Sequence, residues 1–173
     1  MAGPIEIDVW QGEIAELEVD ALVVGASESL FMTAGAAASV KRHGGEEIER
    51  AAVDQGPIQP GEAVATRGGS LAAPYVIHTV AVGHDRLADP TRLGGAVRAA
   101  LALCEPLQLH RIAMALLGVE HGAFTARDAA DILVRTLRQK DPVTPLESVV
   151  IATIHAAEAQ AVAEALARHR IGV

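Results

Sequence analysis

The chain has 173 residues, half of them hydrophobic and 21% charged, which fits one domain over residues 1–173 with a single core and sets it far from disordered compositions. Aromatics make up 2% and the formal net charge is −8 without a block of like charge, so base-stacking readers and phosphate-backbone binders are excluded as function classes. The single cysteine, Cys104, closes neither an intramolecular disulfide nor a cysteine-based zinc site, and without a basic-then-apolar leader or a run of about 20 apolar residues the expectation is a soluble, cytoplasmic protein with no membrane contact.

In chain order, "IEIDVW" alternates apolar and polar residues as an edge or half-buried strand does. "DALVVGAS" is a continuous, largely β-branched run broken at Gly25, the pattern of a fully buried strand. "GAAASVKRHGGEEIERAAVDQG" predicts one helix or two helical pieces with Gly44 and Gly45 at the break, and the basic Lys41, Arg42 and His43 suit the end of the first piece. "GEAVATRGGSL" and "YVIHTVAV" predict two more strands separated by turn residues.

"DPTRLGGAVRAALALCE" predicts a helix with Pro90 in its first turn, and "RIAMALLG" a buried strand. Thr125 with Asp128 three residues on has the form of a capping box opening the helix "ARDAADILVRTLRQK". "SVVIATI" is a last buried strand and "AAEAQAVAEALARH" a last amphipathic helix. Strands alternating with helices give an α/β domain with a mixed sheet between helical layers. Ligands of such sheets bind beyond the carboxyl ends of the strands, so the loops after Val24, Val82, Leu117 and Ile154 come first as site candidates.

Three stretches resemble one family. "WQGEIAELEVDALVVGASESL" is similar to the opening of macro domains, "GEAVATRGGSLAAPYVIHTV" to their central segment with its Val-Ile-His-Thr, and "ALLGVEHGAFTARDAA" to their glycine-rich diphosphate loop before a helix. The likeness runs over about residues 5–168 in order and spacing. It implies a three-layer α/β/α sandwich with a mixed, mostly parallel sheet, and an ADP-ribose-like nucleotide or an ADP-ribosylated protein as the partner, with no cofactor.

Residue by residue, the resemblance puts Glu13 at the family's adenine-binding aspartate, with one extra methylene, and Ile14 beside the base. Ser27 falls at the second asparagine of the Asn-Ala-Ala-Asn segment. Thr33, Gly35, Ala36 and Ala37 cover the first glycine-rich loop; Gly118, Val119, Glu120, His121, Gly122, Ala123 and Phe124 cover the second. Two departures stand out. Ala37 and Ser27 replace the aspartate and asparagine of the hydrolase branch, leaving no general base at that place. Glu120 replaces the glycine between Gly118 and Gly122, where backbone N–H groups approach an anion. A carboxylate there brings like charge toward a diphosphate, at a cost of about 1–4 kcal/mol if it does not swing away.

Outside that pattern, His84 and Asp85 in "VGHDR" and Glu120 and His121 in "GVEHG" sit at strand ends. Neighbouring loops would make them a His/Asp/Glu/His set for acid–base work or for zinc or manganese, and a hydrolase on the same scaffold is the alternative function. Solvated loop residues are the plainer reading, because two adjacent pairs lack helical i,i+4 alignment. His78 on its apolar strand reads as a structural histidine, Cys104 as a small core residue, and Ser27 and Ser29 as N-capping loop serines rather than nucleophiles. Assembly through alanine-rich faces is a third function class.

Overall fold

Side-chain parity along each strand decides which layer a residue enters. In β2 (Ala21–Gly25), Ala21 and Val23 face one layer while Leu22 and Val24 face the other, and all four are fully buried. β5 (Arg111–Ala115) does the same, with Ile112 and Met114 on the first side and Ala113 and Ala115 on the second. A strand covered on both faces has no polar side to show, which is why these runs read as continuously apolar.

The computed structural model describes residues 4–139 and 144–170. Six strands form one sheet in the order β1 (Glu6–Gln11), β6 (Ser148–Thr153), β5, β2, β4 (Tyr75–Thr79), β3 (Ala63–Arg67). All neighbours are parallel except β3 against β4. The expected edge position of "IEIDVW" is observed as β1.

On one face lie α3 (Pro90–Ala102), α5 (Ala126–Arg138) and α6 (Ala156–Arg168), which bring Leu93, Val97, Leu133 and Val162 against the sheet. On the other lie α1 (Gly35–Gly44) and α2 (Glu46–Val53), with Val40 and Ile48 packed on Leu22 and Val76. Each fully buried Leu or Ile of these layers contributes roughly 1.5–3 kcal/mol relative to exposure. The architecture is the expected α/β/α sandwich.

Local expectations resolve in detail. The long helical stretch divides at Gly45, whose φ of 110° is open to glycine. The helix opened by Pro90 stops at Ala102 and restarts as a short α4 (Cys104–Leu107). Asp89 Oδ1 accepts from the Thr91 N–H at its start. Of the Thr125 capping box only one half forms among the described residues: Thr125 Oγ1 accepts from the Asp128 N–H at 3.1 Å. The loop serines do not cap. Ser27 Oγ lies 3.1 Å from Ser29 Oγ, and Ala34 precedes α1 with no side-chain cap. Lys140, at the end of one predicted helix, and Met1–Gly3 lie outside the described residues.

The crossover through α3 carries the chain from β4, on one side of β2, to β5 on the other. The connections therefore diverge above the end of β2, the place where sheets of this kind leave a crevice.

Candidate functional site

That crevice is a cleft of about 550 Å³ over Gly25 and Ala115, within the size range of small-ligand sites. One wall is the segment after β2, with Ser27, Phe31, Thr33, Gly35, Ala36 and Ala37. A second follows β4, with Val82, Gly83, His84 and Arg86; a third follows β5, with Leu116, Val119, Glu120 and His121. No helix among the described residues is long and apolar enough to cross a membrane.

The third wall is a tight turn. Gly118, His121 and Gly122 all have positive φ, at 99°, 55° and 68°. The Phe124 N–H donates back to Gly118 O at 2.9 Å and closes the loop. Gly118 needs its hydrogen for space too, because a Cβ there would stand 2.8 Å from Leu93 Cδ2.

Within this turn the Glu120 carboxylate folds inward rather than out to solvent. Its Oε2 accepts from the Gly118 N–H at 2.6 Å. Oε1 rests against Gly25, where any Cβ would collide with it. The small residue ending β2 thus makes room for the side chain of the loop after β5. Burial raises the Glu120 pKa, and the Gly118 N–H pulls it back down. The turn holds an anion, supplied by its own sequence.

The other expected site residues divide into groups. Ser27, Thr33, Gly35, Ala36, Ala37, Val119, Glu120 and His121 line the cleft. Gly118, Gly122, Ala123 and Phe124 form the turn behind that wall rather than the wall itself, and Phe124 is buried. Glu13 and Ile14 are not on the cleft's lining. Ile14 is buried in the α1 layer. Glu13 stands before a short 3-10 turn (Ile14–Glu16), and its carboxylate accepts from the Ser39 hydroxyl at 2.6 Å.

The four-residue set is not assembled. His84, Glu120 and His121 share the cleft, but Asp85 is turned away: its Oδ2 takes Arg92 Nη1 at 2.8 Å and its Oδ1 takes the Leu87 N–H at 3.1 Å. The Arg92 guanidinium, first, and the Leu87 N–H hold its carboxyl below the usual range. Among the described residues no group of three or more His, Cys, Asp or Glu is placed to hold a metal ion. The local guanidinium outcompetes the cleft for that carboxylate.

Three positions were not read from the sequence as parts of this region. Ser39 is buried and holds Glu13; its place on the inner face of α1 was the available signal. Phe31 is 51% exposed at the cleft, and a large apolar residue within a predicted loop was the signal. Arg86 lines the cleft with a φ of 58°. Nothing in a non-glycine residue announces that backbone.

The remaining expectations are structural. His78 is fully buried with Nε2 3.0 Å from Thr66 Oγ1, while its Nδ1 has no partner. Burial lowers its pKa to about 4. His43 Nδ1 lies 2.8 Å from Ser39 O within the last turns of α1. Cys104 is buried and its thiol pushed up to about 12, by burial first and then by the Asp20 charge.

Comparison with known proteins adds the following. Residues 23–133 match the model of the Macro domain. A macro domain-containing protein of Cupriavidus necator is 36% identical over 140 residues, covering 77% of this chain and 80% of that protein. An uncharacterised protein of Mycobacterium tuberculosis is 34% identical over 141 residues, or 80% of this chain and 38% of the relative, so the chain spans under two fifths of that relative's length. Among solved structures, a Trypanosoma brucei macrodomain in complex with ADP-ribose superimposes with a TM-score of 0.85 at 22% identity, covering 93% of this chain and 69% of that one.

Proposed function

The chain belongs to the macro domain family, and on that premise we propose that it binds ADP-ribose or a closely related nucleotide in the cleft over β2 and β5, without aspartate-dependent ADP-ribosyl hydrolysis. One observation carries the reading: the Gly118 N–H already holds an oxyanion, the Glu120 carboxylate, at 2.6 Å. A turn that binds a carboxylate this way offers the same donor to a phosphate oxygen once the side chain has moved. The relative bound to ADP-ribose supports the ligand class.

Hydrolysis by the aspartate route lacks its base. Ala37 is almost fully buried and its methyl has no proton to exchange. Glu13, held by Ser39, keeps a carboxylate for an adenine amino group, and Ile14 stands next to it in sequence. The partner on this reading is a free nucleotide or an ADP-ribosylated protein, in the cytoplasm.

The test is calorimetric titration of the protein with ADP-ribose, beside ADP and AMP at fixed salt. Heat that saturates with micromolar ADP-ribose and fades toward AMP is expected; no heat with any of the three overturns the reading.

Glu120 also favours a second reading, hydrolysis on the same scaffold. A carboxyl raised by burial and sharing a cleft with His84 and His121 suits proton transfer. Release of ADP-ribose from a modified protein, abolished in Glu120→Gln, would establish it; equal release by both proteins, or none, would dismiss it.

A further inference from the structure

The carboxylates of the loop after β4, and Glu28, which reaches that loop from the segment after β2, all have partners. Asp85 is held by Arg92, Asp89 caps α3, and Glu28 Oε2 accepts from the His84 N–H at 2.7 Å. The Arg86 N–H donates to Gly83 O at 3.0 Å and closes the turn that carries it. Arg86 lines the cleft and has no ion-pair partner among the described residues. In a chain of net charge −8, that leaves one uncommitted guanidinium on this wall.

Its backbone supports a positioned role. Four non-glycine residues among those described have positive φ, and two of them, Arg86 and His121, line this cleft from the two sides of β2. Such a conformation costs a non-glycine residue energy and persists where the surroundings hold it. Meanwhile the anion donor of the β5 wall is taken by Glu120.

Resting on the nucleotide-binding reading, we infer that Arg86 fixes the ligand's diphosphate from the β4 side of the cleft, taking over the share of anion binding that Glu120 removes from the β5 turn. A guanidinium presents paired N–H donors that match phosphate oxygens, and it holds its charge at any working pH. The ligand class is thereby narrowed to nucleotides with an anionic group near the cleft mouth, and Arg86 becomes a specificity-determining residue.

The experiment titrates ADP-ribose and inorganic pyrophosphate into the full chain and into Arg86→Gly, Arg86→Lys, Glu120→Gly and the double variant Arg86→Gly/Glu120→Gly. Glycine removes the guanidinium but keeps the left-handed backbone at ease, so the melting temperature is expected to hold. Arg86→Gly should weaken ADP-ribose about tenfold and flatten its salt dependence, with Arg86→Lys within about threefold of the parent. In the Glu120→Gly background the same loss should shrink to about threefold, because the freed turn again shares the anion.

Unchanged ADP-ribose binding in Arg86→Gly overturns the inference and leaves the nucleotide reading standing. Pyrophosphate binding that Arg86→Gly abolishes, with no ADP-ribose binding to the parent, sustains the inference and overturns the nucleotide reading. Neither probe binding to the parent overturns both.

Discussion

Burial acts on two ionisable groups near the carboxyl end of the sheet, His78 on β4 between β2 and β3 and Glu120 above the end of β2, with opposite consequences. Both are pushed toward their neutral forms. His78 is closed in, bonded to Thr66 on one nitrogen, and has nothing to exchange with. Glu120 is bonded by an N–H group that another anion can take, at the edge of a cleft. The same desolvation is a structural property in the first case and, on the proposed function, a binding property in the second; what separates them is whether a ligand can replace the partner.

The signs of their pH effects differ too. Unfolded histidine takes up a proton below its ordinary value of 6.5, whereas folded His78 resists until about 4. The stability it allows above 6.5 is therefore lost as pH falls through that window, by roughly 3 kcal/mol. Glu120 is raised, so its contribution moves the other way and favours the fold as it becomes protonated. Denaturant unfolding at pH 7 and pH 4 should show a fall that is smaller in His78→Leu by about that 3 kcal/mol; equal falls in both proteins would break the contrast at its core end.

Gly118→Ala is the next largest. Its φ of 99° and the close Leu93 and Phe124 side chains oppose a methyl group, at a cost of about 2 kcal/mol in unfolding free energy. Gly122→Ala, with a positive φ but open space around it, should cost about half as much. Equal losses would mean that the turn is not packed as described.

The smallest is Thr125→Ala, which removes the acceptor for the Asp128 N–H and should lower stability by about 1 kcal/mol while leaving ADP-ribose affinity within about twofold. A large loss of affinity instead would tie the start of α5 directly to the ligand.

The fold was legible because the strand runs carry their burial in their residue types: "ALVVG" and "RIAMA" are apolar at both parities, and helices of about 13 residues alternate with them. Gly45 marked the break between α1 and α2 by the same logic. In the site, the location of the loop holding Glu120 was readable and the direction of its side chain was not. That direction depends on Gly25, about a hundred positions earlier, meeting it across two parallel strands. The sequence places Asp85 at the strand end with His84, but Arg92 on the next helix holds its carboxylate. Arg86 escaped notice because a left-handed arginine leaves no mark in composition or periodicity.

On the proposed function, the Glu120 carboxylate on the Gly118 N–H stands where a ligand phosphate would bind; titration of ADP-ribose into the parent protein and into Glu120→Gly, at one pH and salt concentration, separates competitor from neighbour. Affinity about tenfold tighter in Glu120→Gly is the expected result, the return of roughly 1.4 kcal/mol spent in displacing a like charge. Affinity equal to or weaker than the parent's would contradict that placement, since the carboxylate would then be a neighbour of the ligand and not its competitor.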